Sequence, residues 1–151
     1  MTGQKWTVYW NEYSSDTYLY GSKITMQGKA DVLFENPMMA PGTVIKTWYS
    51  KTNYQRQRIE PSLPIIDGET EYEISVNMDY PQGGRCMLRL EFFDKYEEKA
   101  GFFLVRGQTA RFRCPLKTYS YQMQLVNTGA SVFRFHSVTI REVMDDDEER
   151  A

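Results

Sequence analysis

Alternation of apolar and polar residues over residues 69–94 predicts two long antiparallel strands. Apolar side chains occupy every second position from Tyr72 to Met78, and charged or polar side chains lie between them. After Pro81 and two glycines, the alternation resumes from Cys86 to Phe92. A period of two is typical of a strand with one buried face, and Pro and Gly favour a turn between strands. Two such strands need a second apolar layer from the rest of the chain.

Shorter segments with the same alternation predict the remaining strands. They lie at 6–10, 22–27, 30–35, 43–50, 102–105, 110–114, 119–125 and 133–140. Gly28–Lys29 predicts a tight hairpin turn, 102–105 is interpreted as a short buried run, and a slip in phase at His136–Ser137 predicts a β-bulge. No window shows the 3.6-residue period of a helix. Nine to eleven strands predict an all-β fold, an antiparallel β-sandwich or jelly roll.

The charge pattern predicts one domain followed by a tail. A chain of 151 residues is long enough for a single domain with a substantial core, predicted here at 1–141. Residues 142–151 contain six acidic residues and are predicted to form a disordered acidic tail; the alternative is a tail that engages a basic partner. Without those six acids and Arg150, totals of 20 acidic and 18 basic residues leave the domain a formal charge of about +3. So small a charge argues against nucleic-acid binding.

Cysteine content and the N-terminus bear on the compartment. Residues 1–6 lack the apolar core of a signal peptide, and no run of 18 apolar residues predicts a membrane span. We therefore expect a cytoplasmic protein in which Cys86 and Cys114 are reduced thiols rather than a bridge, with Cys86 a small buried hydrophobe. Two cysteines and one histidine cannot supply the four ligands of a usual zinc site. No metal or other cofactor is predicted.

Motifs for catalysis are absent from the sequence, so no catalytic residue is predicted. There is no Gly-rich phosphate loop and no Gly-x-Ser-x-Gly elbow. His136 is the only histidine, but it lies at the predicted bulge, and a general base needs a nucleophile and an orienting partner. Glu71 and Glu73 have the spacing of a glycosidase acid pair. Two acids at i and i+2 on one strand face are more typical of a solvated surface.

Aromatic and basic residues give the better candidates for binding. Sugar-binding sandwiches stack exposed aromatic rings on pyranose rings, and the candidates for this role are Trp10, Tyr13, Tyr18, Trp48, Tyr49 and Tyr54. Core and surface are equally open for Trp48, whereas Tyr13 and Tyr54 are predicted to face solvent in loops. Lys51, Arg56 and Arg58 add the residue types of interface hot spots within a long irregular segment, 51–68. The predicted partner- or glycan-binding set is Trp48, Tyr49, Tyr54, Arg56 and Arg58.

The order and spacing of several residues resemble a known family. They are Trp48-Tyr49-Ser50, Tyr54, Arg56, Leu63-Pro64, Gly68, Tyr72, Pro81 and Leu90-Glu91-Phe92-Phe93-Asp94. Across roughly residues 6–141 the chain resembles the third accessory secretory protein of the accessory Sec system of streptococci, staphylococci and related Gram-positive bacteria. No single motif is diagnostic; the resemblance depends on the whole set.

The resemblance implies a non-enzymatic subunit of an export complex. Its expected partners are two other accessory secretory proteins, one glycosyltransferase-like and one α/β-hydrolase-like, together with the accessory Sec motor ATPase and the glycosylated serine-rich-repeat adhesin. The implied fold is similar to a carbohydrate-binding module, and the implied place is the cytoplasm, with peripheral association at the inner face of the membrane through the translocon. No sugar-binding residues carry over. A lectin-like module that directly binds GlcNAc/glucose-modified adhesin is the alternative, and a small glycosidase is a third.

Overall fold

The computed structural model describes residues 5–10, 17–50, 63–64 and 66–143, which form a sandwich of two antiparallel sheets. Sheet A contains β1 (Lys5–Val8), β2 (Lys23–Gly28), β3 (Asp31–Glu35), β5 (Glu71–Asp79), β8 (Thr109–Arg113) and β10 (Val132–Glu142). Sheet B contains β4 (Val44–Tyr49), β6 (Cys86–Phe93), β7 (Lys99–Val105) and β9 (Ser120–Asn127). Within these ranges no helix is long and apolar enough to cross a membrane.

Strand β10 organises sheet A because it pairs with three other strands. The order is β2-β3-β10-β5-β8, and β1 also pairs with β10. The first half of β10 pairs with β3, with Phe133 opposite Phe34, and the second half pairs with β1, with Val138 opposite Val8. β5 follows nearly the full length of β10. Sheet B has the order β4-β9-β6-β7, so β7 is an edge strand.

The core lies between the sheets and is rich in aromatic rings. Phe34 and Phe133 stack with centroids 4.9 Å apart, and Phe135 stacks on Trp48 at 5.4 Å. Trp10 packs its edge against both Trp48 and Phe135. Burying each such side chain contributes about 1.5–3 kcal/mol, so these rings join the two sheets.

The predicted all-β sandwich is confirmed, and so is the bulge in the last strand, where the register shifts between Phe135 and Ser137. The β2–β3 turn occupies Lys29–Ala30, one residue later than predicted, because the register shifts between Met26 and Gly28. The prediction of a buried run at 102–105 is wrong for Phe102, which is 70% exposed on the edge strand β7, whereas Val105 is buried as predicted. Both cysteines are free, as predicted, and Cys86 is buried as predicted; Cys114 is buried as well.

The predicted tail overlaps the end of the structure. Strand β10 continues to Glu142, and the Val143 N–H donates to the Glu71 carbonyl at 2.9 Å. Residues 144–151 lie outside the described part of the chain, so a disordered or partner-binding tail stays a prediction.

Candidate interaction surface

Trp48, the first of the predicted binding residues, lies in the core. Its side chain is 1% exposed, and its indole N–H donates to the Tyr9 carbonyl at 2.9 Å. Trp10, another candidate for sugar stacking, is also buried against it. Neither ring offers an exposed face to a ligand. The question left open for Trp48, core or surface, is therefore decided in favour of the core.

The buried indoles enclose a cation, Lys46, that the sequence did not identify. Lys46 is 1% exposed, and its Nζ atom lies 5.1 Å from the ring centroid of Trp10 and 5.7 Å from that of Trp48. The ammonium also donates to Thr17 Oγ1 at 3.1 Å. A desolvated ammonium over indole faces gains cation–π stabilisation, and its hydrogen bonds offset part of the cost of burial. The two tryptophans thus accommodate a core lysine.

Tyr49, the second predicted residue, lies on the outer face of sheet B. The register places it opposite Gln122 of β9, Gln122 opposite Glu91 of β6, and Glu91 opposite Phe102 of β7. We call these four residues the Tyr49 row. Three strand spacings separate its aromatic ends, a distance of about 14 Å. An aromatic side chain at each end with polar groups between them suits a flat, polar ligand such as a glycan.

Charged neighbours fix the polar centre of the Tyr49 row. Glu91 forms two ion pairs, with Arg89 Nε at 3.2 Å and with Lys99 Nζ at 3.6 Å. The Arg89 guanidinium also donates through Nε and Nη2 to Gln124 Oε1. These contacts hold long side chains in place along the face, so their polar groups are already oriented when a ligand binds.

Tyr54, Arg56 and Arg58, the remaining predicted residues, lie outside the described residues, as does Tyr13. The end of their segment is described. The Leu63 N–H donates to the Tyr49 carbonyl at 3.1 Å, and the Tyr121 hydroxyl donates to the Pro64 carbonyl at 2.5 Å. The role of the three residues in binding stays a prediction.

A second surface, missed by the sequence analysis, consists of Leu19, Tyr20 and Met38 on two adjacent loops. Tyr20 and Met38 are each 80% exposed, and Leu19 is also exposed. Large apolar side chains held together at the surface of a protein mark interaction sites. We call this group the Asn36 patch, after the buried residue that connects its loops.

Asn36 holds the two loops together through three hydrogen bonds. Its Nδ2 donates to the Tyr20 carbonyl and to Ser22 Oγ, both at 2.9 Å, and its Oδ1 accepts the Met38 N–H at 3.0 Å. Gly21 lies against this amide with φ of +75°, a conformation that side chains other than glycine rarely adopt. The patch is therefore braced from below, and a partner need not order it on binding.

Nothing in the sequence pattern links these loops. Leu19-Tyr20-Gly21 and Asn36-Pro37-Met38 each have loop composition, and the amide that joins them acts across 14 to 16 residues. The only signal was that Asn favours positions where its side chain bonds nearby backbone. Such a signal predicts a local turn but not a long-range brace.

His136, the histidine considered as a general base, makes two contacts that hold the fold together. His136 Nδ1 lies 2.7 Å from the Ala30 carbonyl and Nε2 lies 2.9 Å from Asp79 Oδ2. Both partners are acceptors, so the ring donates from both nitrogens when it is protonated. The hydrogen bond to Asp79, followed by that to Ala30, raises the pKa of His136 above its usual value. His136 thus fastens the β2–β3 turn to the end of β5.

Glu71 and Glu73, which were expected on a solvated strand face, form ion pairs with arginines. Glu73 lies 3.4 Å from Arg111 and 3.5 Å from Arg141, and Glu71 lies 3.8 Å from Arg113. These contacts cross the strands on the outer face of sheet A, as expected for opposite charges on neighbouring strands. The described residues also include no group of three or more His, Cys, Asp or Glu side chains placed to hold a metal ion.

Sequence comparison places the chain in a family. A family model described as accessory Sec secretory system ASP3 matches residues 17–142. The accessory Sec system protein of that name from Streptococcus gordonii is 33% identical over an alignment of 148 positions, and 92% of this chain and 93% of the relative are covered. The chain belongs to the family of third accessory secretory proteins of the accessory Sec system. The resemblance inferred from residue order and spacing is thereby confirmed.

Members of this family differ in length. The relative of the same name from Staphylococcus aureus strain NCTC 8325 is 27% identical over 136 residues, which cover 90% of this chain but 42% of the relative. One solved structure shows the same difference in length. The chain superposes with a TM-score of 0.85 and 35% identity on part of the glycosylation-associated Gap123 complex of Streptococcus agalactiae, covering 93% of this chain and 45% of that one.

A structure of accessory secretory proteins 1, 2 and 3 of Streptococcus pneumoniae contains a chain whose full length superposes on this one. The TM-score is 0.85 at 27% identity, with 95% of this chain and all of the other covered. More distantly, the family shares its fold with carbohydrate-binding modules. The CBM22-containing xylanase 10B of Clostridium thermocellum superposes with a TM-score of 0.55 at 14% identity. This likeness confirms the predicted fold and extends no further.

Proposed function

We propose that the chain is a non-catalytic subunit that assembles with two other accessory secretory proteins and takes part in exporting the glycosylated serine-rich-repeat adhesin with the accessory Sec motor ATPase. The supporting observation is its likeness, at a TM-score of 0.85, to chains solved within such three-protein complexes. In this role it works in the cytoplasm, at the inner face of the membrane.

The Asn36 patch is the surface we propose for contact with the other accessory proteins. Stable interfaces bury about 800 Å² on each partner around a few aromatic or long apolar anchors. Tyr20 and Met38 are two such anchors, each 80% exposed, and Asn36 holds their backbones in place. A braced apolar pair loses little conformational freedom on binding, which favours a permanent contact.

Co-expression with the two accessory partners tests both parts of this proposal. The native mass of the purified material should equal that of a hetero-complex. Tyr20→Asp and Met38→Asp should each weaken assembly by at least about thirtyfold, the loss expected at an interface hot spot. Tyr96→Asp is the matched control, because Tyr96 is 72% exposed in the β6–β7 turn.

The outcomes separate the function from the surface. If the native chain stays monomeric beside both partners, the subunit function is wrong. If the native chain assembles and both patch variants assemble as well as Tyr96→Asp, the function stands and the Asn36 patch is not the interface. Circular dichroism of each variant before mixing excludes misfolding as the cause of a loss.

A second candidate function, favoured by the Tyr49 row, is direct binding of GlcNAc/glucose-modified adhesin. Phe102 is 70% exposed at one end of the row, and Gln122 and the braced Glu91 supply polar groups at its centre. Ligand-observed NMR with a glycosylated serine-rich peptide should show saturation transfer to the sugar. Phe102→Ala should abolish it, whereas Tyr119→Ala, another exposed aromatic, should leave it unchanged. Saturation transfer to the peptide protons alone, equal for the glycosylated and the bare peptide, would exclude this function.

A further inference from the structure

A cavity of about 490 Å³ opens at the end of the sandwich where β5 ends and β6 begins. Its walls are inward side chains from both sheets: Val76, Met78, Leu88, Val105 and Leu125. The volume lies in the range of small-ligand pockets, about 300–1,000 Å³. Neither candidate function above uses this cavity.

Two arginines at the mouth distinguish this cavity from the rest of the molecule. Seven arginines fall within the described ranges, and five of them pair with carboxylates: Arg89, Arg111, Arg113, Arg134 and Arg141. The other two, Arg85 and Arg106, are exposed, make no ion pair with any described residue, and both line the cavity. No residue among those that form the lining is acidic. The mouth therefore carries two positive charges that are not neutralised there.

The inside of the cavity is neutral. The Cys86 N–H donates to the Tyr80 hydroxyl oxygen at 3.2 Å, which fixes the phenol in the wall. Burial raises the pKa of the Cys86 thiol to about 12 and also raises the pKa of Tyr80. Both groups are therefore uncharged at neutral pH. An apolar chamber behind a cationic mouth suits a ligand with an apolar body and a negative end.

Gly84 lets the backbone at the cationic mouth lie close to the β9–β10 turn. Gly84 has φ of +78°, and a Cβ atom there would lie 2.5 Å from the Gly129 carbonyl oxygen. Only glycine fits so close an approach. The Thr128 N–H and hydroxyl both donate to the Arg85 carbonyl, at 3.0 and 2.9 Å. The backbone that carries Arg85 is thus held against the β9–β10 turn beside the cavity.

We propose that this cavity binds a small amphiphile with an aliphatic body and a carboxylate or phosphate head. The body lies between the sheets, and the head lies between Arg85 and Arg106. Guanidinium groups bind both head groups through paired, charge-assisted hydrogen bonds. The proposal is independent of the assembly and glycan-binding functions, since it uses other residues.

Calorimetric titration of the full chain with decanoate, decyl phosphate and neutral decanol tests the proposal, with the anions below their micellar concentrations and decanol below its solubility limit. We expect saturable 1:1 binding of at least one anion and binding of decanol at least about tenfold weaker. The tighter of the two anions identifies the head group. Equal affinity for decanol, or no saturable binding of either anion, would overturn the proposal.

Substitutions assign the binding to the cavity. Arg85→Gln and Arg106→Gln lie on the surface and should each weaken binding of the anion about tenfold, the loss of one charge-assisted contact. Lys117→Gln is the control, because Lys117 is exposed in the turn after β8, at the opposite end of β5. Val76→Phe should fill the chamber and abolish binding; if that variant fails to fold, the arginine variants decide. Unchanged affinity in both arginine variants would contradict the assignment.

Discussion

Replacing Asn36 by alanine tests whether the Asn36 patch depends on its buried brace. The change removes three hydrogen bonds, two donated to the Tyr20 carbonyl and Ser22 Oγ and one accepted from the Met38 N–H. Each such bond contributes about 1 kcal/mol net, which sets a ceiling of about 3 kcal/mol. Water can reach some of the groups left behind, because Tyr20 and Met38 are exposed. We therefore expect a loss of about 2 kcal/mol in the free energy of unfolding.

Urea unfolding followed by tryptophan fluorescence measures this loss, because Trp10 and Trp48 lie in the core. The midpoint should fall with an unchanged slope, and the melting temperature should drop by about 4–8 °C for a chain of this size. Ser22→Ala is a comparison variant: it removes one of the three bonds and also the bond that Ser22 Oγ donates to the Tyr18 carbonyl at 2.6 Å, so it should cost about 1–2 kcal/mol.

The same variant separates bracing from contact. Asn36→Ala keeps Tyr20 and Met38, so under conditions where it is fully folded it should still bind the accessory partners, but about tenfold more weakly, because the loops must be ordered on binding. An unfolding midpoint equal to that of the native chain would refute the brace. Reduced stability with unchanged assembly would show that the brace is structural and that partner binding does not depend on it.

Three further predictions concern the fold. The raised pKa of His136 means that its bond to Asp79 stabilises the protein fully below about pH 6.5 and loses effect as pH rises through the folded-state value. In urea unfolding the native chain should therefore be more stable than His136→Gln at pH 6, by up to about 1 kcal/mol, and the two should converge at pH 9; equal stability at pH 6 would contradict this. Gly84→Ala should lower the free energy of unfolding by about 2 kcal/mol or more, because its Cβ would meet the Gly129 carbonyl. The melting temperature should fall accordingly, and an unchanged melting curve would contradict this. Trp48→Phe should cost about 2–3 kcal/mol through lost packing and its indole hydrogen bond, whereas a surface binding role would leave stability unchanged.

The strand faces were predictable because alternation is a local property. Residues 72–78, 86–92 and 121–125 place their apolar side chains inward as the pattern predicted. Tyr119, predicted on the same face, is an error: it lies just before β9 and is 71% exposed. The same alternation puts Gln122 and Gln124 of β9 on the polar face of the strand. It could not place Gln122 beside Glu91, because which strands become neighbours depends on packing of the whole chain.

The errors arose where tertiary contacts override local character. A lysine in a strand predicts a solvated position, yet Lys46 is buried because two indoles and Thr17 receive its ammonium. Phe102 was predicted to be buried because it belongs to an apolar run. It is exposed because it lies on the outer face of sheet B, opposite Glu91, and the second layer packs on the other face.

The candidate surfaces were less predictable than the fold. Tyr49 was identified from its residue type, but its place in a row of four required the register of sheet B. The Asn36 patch and the cavity mouth required contacts between residues that are remote in sequence. Binding surfaces depend on such convergence, whereas strand identity depends on neighbouring residues.

The pairing of β10 has a consequence for the order in which the protein is made. β3 pairs at once with β2, but its second partner, β10, comes about a hundred residues later in the chain, and β1 pairs with β10 across a longer separation still. Until residues 132–142 have left the ribosome, β1, β3 and β5 all lack the strand that joins them. Sheet A therefore closes only after nearly all of the described chain has been synthesised, and the edges of these strands stay open to other chains in the interval. For a subunit that assembles with others, that interval is also when partners synthesised nearby can first meet it.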